Sequence, residues 1–241
     1  MPVNRLLRPA WLLTHVLVVA AFFVMVNLGF WQLGRLDDRQ VANALVEERM
    51  AEPAGPLMEM VDMADPEASV HMGVQVTGTF DPDREVYVAN RTRDGRPGVN
   101  VVTLFQSGAG PVAVDRGFLP RQAYLGGEER YWAVPDGEAV VTGRVRTTRT
   151  SRSGNGDEVD VIDLVGLSER WAVPLLPVYI EATSGASAVD YPLGPPSPDL
   201  TDGSHLGYAV QWFVFALIAL VGYPLVVVRI ARDERLGVEG T

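Results

Sequence analysis

Neither cysteine nor lysine occurs among the 241 residues, and histidine occurs only three times. The missing cysteine excludes disulfides, c-type haem attachment, thiolate metal sites and thiol redox chemistry. The missing lysine leaves all 20 basic side chains as Arg, which reads as codon usage of a GC-rich genome rather than as mechanism. In two stretches charge is missing altogether. Residues 9–34 form a run of 26 without any Asp, Glu, Lys or Arg, and residues 206–228 form a second of 23. A helix rises ~1.5 Å per residue and a bilayer core is ~30 Å thick, so about 20 residues cross it. Both runs are long enough.

The first run has the basic start of a signal peptide, Arg5 and Arg8, but it is far longer than the ~7–15 apolar residues such a segment carries. No small-residue cleavage site follows it. It closes on Gly29-Phe30-Trp31-Gln32-Leu33, an aromatic rim suited to a membrane interface. The expectation is an uncleaved anchor and a multi-pass chain: a tail at 1–9, transmembrane helices at 10–34 and 206–228, an extracytoplasmic domain at 35–205, and a second tail at 229–241. The residues outside 34–205 hold five Arg against three acids, whereas 34–205 hold 15 Arg against 27 acids. Cationic bias near the ends of spans marks the cytoplasmic side, so both termini are expected there, in the cell membrane. The acidity of the domain speaks against a nucleic-acid partner, because a polyanion needs a basic face.

Beyond the first span, residues 35–50 keep a helical pattern that either continues the helix or bends into a short second one. Residues 51–67 are rich in Pro and Met and read as a loop. Strand signals follow at 74–80, 85–89, 99–105, 112–115, 139–145 and 178–181, with turns at 81–83 and 93–98 and a short helix at 164–172. Residues 191–199, with four prolines, read as a linker. The expected class is membrane-anchored α+β: two transmembrane helices flanking a mainly antiparallel β-barrel or sandwich.

Catalytic chemistry finds little support. The domain has one interior histidine, His71, no nucleophile elbow and no Gly-rich phosphate loop, so no catalytic residue and no enzymatic activity are expected. Met58, Met60, Met63 and Met72 cluster near His71. Thioether and imidazole suit Cu(I), whereas the plain alternative is apolar gap-filling under a loop. Residues 155–158 with Asp160 and Asp163 are acidic but lack calcium-loop spacing, and read as an acidic turn. Within the spans, Asn27 and Gln211 lie at matching depths, ~6 and ~9 Å inside Trp31 and His205, and are expected to bond each other across the helices. His205 is placed near Gln32 or Arg35, while His15 falls at the opposite end of the spans. His205, Tyr208 and Trp212, at i, i+3 and i+7, share one helix face.

Three segments in order, 29–36 (GFWQLGRL), 112–120 (VAVDRGFLP) and 205–213 (HLGYAVQWF), together resemble the Surfeit-locus family of cytochrome c oxidase assembly factors. The resemblance covers both spans and the domain between them. Nothing in residues 51–67 matches it, and Arg39 stands where the family pattern has Lys. It implies a non-enzymatic factor of the respiratory chain, a chaperone-like protein that helps insert haem a into the catalytic subunit of the oxidase. It also implies transient haem a binding through His205, beside an aromatic wall of Tyr208 and Trp212, with Arg35 pairing with a propionate. Asp115-Arg116 is expected to be a structural ion pair beside a turn at Gly117. Copper delivery to the same oxidase through the Met cluster, or a pure membrane scaffold, stands as the alternative.

Overall fold

The computed structural model describes residues 8–127, 132–148, 156–189 and 191–238. The chain divides into a helical unit, residues 1–45 with 199–241, and a sheet unit, residues 46–198.

The helical unit is built from α1 (Pro9–Ala51) and α5 (His205–Val238). Both are long and apolar enough to cross a membrane. Their outer faces expose Leu13, Val16, Leu17 and Phe23 on α1 and Leu217, Ile218 and Leu225 on α5. Such a surface is costly in water and neutral in lipid. The buried positions described in the pair are small: Gly29, Ala209 and Ala216. Small residues let two helix backbones approach, which is how helices associate where the hydrophobic effect is absent. Gly29 shows the closeness, since a Cβ there would stand 2.6 Å from Cε1 of Phe213. Phe30 meets the same ring edge-on at 5.3 Å. The helical pattern past the first span continues α1 without a break to Ala51, and Pro53 stands two residues beyond its end.

The sheet unit carries five long or medium strands, β2 (Gly73–Arg93), β3 (Arg96–Ser107), β4 (Gly110–Pro120), β5 (Glu138–Arg146) and β7 (Tyr179–Ser184). Two-residue strands β1 (Gly55–Pro56) and β6 (Glu158–Val159) add to β2, and short helices α2 (Leu57–Met60), α3 (Arg121–Leu125) and α4 (Leu164–Trp171) fill the connections. Neighbours run β1-β2-β3-β4-β7-β5, and β5 also pairs back with the first half of β2. This corrects the expected antiparallel barrel or sandwich to one mixed sheet. The pairs β1–β2, β2–β6 and β4–β7 are parallel. The parallel β4–β7 pair needs a long crossover, and the β5 to β7 segment with α4 provides that length.

Five of the six predicted strand signals fall inside strands and the sixth, 178–181, starts one residue before β7, while two of them merge. The turn expected at 81–83 is a register shift between Asp81 and Glu85 within a continuous β2. Conversely, the turn at 93–98 tightens to Asp94-Gly95, both in the left-handed region, joining β2 to β3. That is the two-residue hairpin turn that the twist of antiparallel strands favours. Asp163 caps α4, its carboxylate accepting from the amides of Val165 and Gly166. The core is dominated by β-branched side chains that alternate inward, among them Val74, Val86, Val101, Val114, Val141 and Ile180, as expected of half-buried pleated strands.

Candidate functional site

His205 is the first residue of α5, and its ring Nδ1 lies 2.9 Å from Oε1 of Gln32 on α1. A carbonyl oxygen only accepts, so Nδ1 donates the proton. In the neutral ring that assignment leaves Nε2 with its lone pair, the form in which imidazole ligates a metal. Gly203, at φ +70°, lies beside that nitrogen; a Cβ there would come 3.8 Å from Nε2. The ring is half-buried, Tyr208 is exposed, and Trp212 is half-buried against Phe215 of its own helix. The free ring nitrogen at this end of the helix pair is of a kind that would fit as one ligand for haem iron. Trp31 is exposed here too, as an interfacial aromatic would be.

Other contacts hold the two segments beside this end. Asn43 donates to the Leu200 carbonyl at 2.8 Å, Gln40 to Asp202 at 2.9 Å, and Arg39 Nε to the Thr201 carbonyl at 3.2 Å. At the opposite end, His15 Nδ1 bonds the Tyr223 hydroxyl, with the rings edge-on at 5.7 Å. The sequence indicated the depth of His15 but not its partner.

One expectation within the spans is corrected. Asn27 does not reach Gln211. Its amide donates to the Phe23 carbonyl of its own helix at 2.8 Å, and both Asn27 and Gln211 are exposed. Equal depth was not enough, because the angular position around each helix decides which residues face the neighbour. Arg35 sits 3.5 Å from Asp38, one turn along α1, with both side chains well exposed.

Asp115, Arg116 and Gly117 are also arranged differently from the expected ion pair and turn. Val101 pairs with Gly117 and Val102 with Asp115, so Arg116 is the extra residue of a β-bulge in β4. A bulge re-aims side chains, and the adjacent Asp115 and Arg116 are both buried. Arg116 is 2% exposed and pairs with Glu85 at 2.9 Å, not with Asp115. It also donates to the carbonyls of Ala186 at 2.7 Å, Ala133 at 3.0 Å and Trp132. Glu85 accepts in addition from Thr103 at 2.7 Å, Tyr87 at 2.8 Å and Trp132 Nε1 at 3.1 Å. Burial lowers the Arg116 pKa, and the Glu85 charge opposes that.

Asp115, 6% exposed, accepts instead from Asn100 at 2.9 Å and the Gly117 amide at 3.0 Å. Burial pushes its carboxyl up to about 6. At Gly117, φ is +118° and a Cβ would stand 2.1 Å from the Leu193 carbonyl, so the position requires glycine. There Phe118 and Leu193 exchange backbone hydrogen bonds of 2.9 and 2.8 Å. The nine-residue segment around these three residues is thus architecture of the sheet.

The methionines take the plainer of their two readings. Met60, Met63 and Met72 are packed against the core cluster that contains Leu57 and Val61, while Met58 is exposed. The 51–67 stretch is not a bare loop, since it contains β1 and α2 and ends in a 3-10 turn at Pro66–Ser69. No group of three His, Cys, Asp or Glu suited to a metal occurs among the described residues. In the acidic turn, Asn155 lies outside the described residues. Asp157 pairs with Arg170 at 2.5 Å, Glu158 with Arg121 at 3.1 Å, and Asp163 serves as the α4 cap.

The features together define a protein with two apolar helices and a mixed β domain, bearing a histidine clamp at one end of the helix pair. The SURF1 family profile matches residues 19–217, and the chain belongs to that family. A SURF1-like protein of Mycobacterium tuberculosis is 27% identical over 96% of this chain and 90% of its own length. One from Monosiga brevicollis is 29% identical over 82% of this chain and 81% of its own. The human Surfeit locus protein 1 is 28% identical over 78% of this chain and 68% of its own.

Proposed function

We propose that this protein is a non-enzymatic membrane assembly factor that assists insertion of haem a into the catalytic subunit of a cytochrome c oxidase. Family membership supports the assembly role, and the two apolar helices support membrane residence. The proposal places the chain in the cell membrane with both termini cytoplasmic, the sheet domain outside, and the oxidase catalytic subunit and membrane lipid as its partners.

The single observation that carries the haem reading is His205, with Nδ1 committed to Gln32 and Nε2 left with its lone pair. Haem, when bound, would supply an iron centre, and His205 would hold it through that nitrogen. Gln32 acts through His205 by fixing its tautomer and ring orientation, as outer partners of metal ligands do. Tyr208 and Trp212, on the same face of α5, offer apolar ring surface. Arg35 is exposed and only loosely held by Asp38, so its donors remain available to a carboxylate.

The test is spectroscopic. Full-length protein purified from cells making haem a should carry a Soret band that is absent in His205→Ala. In Gln32→Leu the band should weaken by about tenfold in haem occupancy, the scale of losing an outer partner. A band unchanged in His205→Ala removes this histidine as the ligand. Deleting the gene and assaying haem a and copper in the residual oxidase then separates roles: haem a lost with copper retained supports insertion, and both retained supports a scaffold.

A further inference from the structure

Three arginines converge on His71 in a domain that is otherwise acidic. Arg146 Nη1 lies 3.2 Å from both ring nitrogens of His71. Arg144 and Arg146 share one carboxylate, Glu181, at 3.6 and 3.8 Å, distances too long for strong hydrogen bonds. Arg49, near the end of α1, donates to the Val70 carbonyl at 2.5 Å. His71 itself is held at φ +72°, while its amide donates to the Val145 carbonyl at 2.9 Å. A left-handed conformation in a residue other than glycine is strained and collects at ligand clamps. Burial first, then the charges of Arg146, Arg144 and Arg49, lower the His71 pKa.

Arg144 is the informative member. It is 9% exposed, and among the described residues its Nε has no hydrogen-bond partner while Nη1 reaches the Met50 sulfur at 3.7 Å. A guanidinium carries five donors in a fixed fork that matches an oxyanion. Glu181, 3.6 Å from Nε, offsets the charge without giving that N–H a hydrogen bond, and a buried donor left without one is expensive. This fork borders a cavity of about 350 Å³ lined also by Arg49, His71, Thr183 and Ser197. Glu52, exposed, is the one carboxylate among the described lining residues.

We propose that this cavity binds a small oxyanion, a carboxylate or a phosphate, between the guanidiniums of Arg144 and Arg49. The site lies within the sheet unit and owes nothing to the His205 clamp. Titration calorimetry of the full-length protein in detergent, at fixed ionic strength, with inorganic phosphate and with succinate tests it. One of the two anions should bind saturably with Kd below about 1 mM, and which one binds distinguishes the two sources. Arg49→Gln and Arg144→Gln should each weaken binding about tenfold or more, whereas Arg91→Gln, which lines only the neighbouring cavity on the other side of His71, should leave it unchanged. Should Arg144→Gln fail to fold, the half-buried Arg49 still decides the question. An anion seated there also raises the His71 pKa, measured by NMR of the imidazole. No saturable binding of either anion up to about 10 mM, equal weakening in Arg91→Gln, or a His71 pKa unmoved at saturation overturns the proposal.

Discussion

Asp115 and Arg116 are adjacent in the chain and buried together, yet each answers to a different partner, and the two respond oppositely to change. Asp115 has a folded pKa near 6 against an ordinary 3.8, raised chiefly by burial. Since the folded value lies above the unfolded one, the native state favours the protonated acid. Its contribution is complete below about pH 4 and is lost as pH rises through about 6. The shift of about two units corresponds to roughly 3 kcal/mol. Urea unfolding of the full chain, followed by the buried Trp132 and Trp171, should show wild type losing on the order of 3 kcal/mol relative to Asp115→Asn between pH 4 and pH 7. A constant difference across that range refutes the assignment.

Arg116 is the reverse case. Its loss strands Glu85 and three carbonyl oxygens, and breaking one partner of a buried pair costs about 3–5 kcal/mol. Arg116→Leu should unfold that much more easily. Adding Glu85→Leu should recover part of the loss, because the unpaired charge goes too.

At the scale of elements, the helix pair and the bulged strand show how local pattern and packing divide the work. Charge-free length alone marked α1 and α5. Which of their residues meet was a matter of angle, and it favoured Gly29 over Asn27. Asn27→Leu should therefore change stability by less than about 0.5 kcal/mol, as exposed positions do. Gly29→Ile inserts a branched side chain where even a Cβ lies 2.6 Å from Phe213, and should part the helices. The cysteine-free chain makes this measurable. Disulfide formation between Gln40→Cys and Asp202→Cys, whose native side chains touch at 2.9 Å, should fall several-fold in Gly29→Ile, on the scale of about 1 kcal/mol, and stay unchanged in Asn27→Leu. Equal cross-linking in both would show that close packing at Gly29 does not hold the pair. In β4, the bulge at Arg116 follows from nothing in the alternation of its residues. It becomes visible only when β3 is laid beside it, since a bulge is a mismatch in count between two strands.

For the whole molecule, the distribution of charge makes the strongest demand. With Arg-bearing tails and an acid-rich interior segment, the proposed topology puts both termini on the cytoplasmic side, as the cationic-bias rule expects. Protease added to intact spheroplasts should cleave within 46–198 while epitopes on either terminus stay protected; loss of a terminal epitope reverses the orientation. The sequence by itself determined the two long helices, the positions of six strand segments, the α4 helix, the absence of thiol chemistry, and the resemblance that the family match bears out. These are written in runs of residues: hydropathy length, two-residue alternation and missing side-chain types act on neighbours in the chain. The tertiary structure alone decided the parallel pairings of β1, β6 and β7, the Glu85 partner of Arg116, the self-bonding of Asn27 and the convergence of Arg49, Arg144 and Arg146 on His71. Each depends on residues far apart in the chain meeting at one angle and one register, and a one-residue shift in register or a partial turn of a helix changes every such meeting while leaving the local pattern intact.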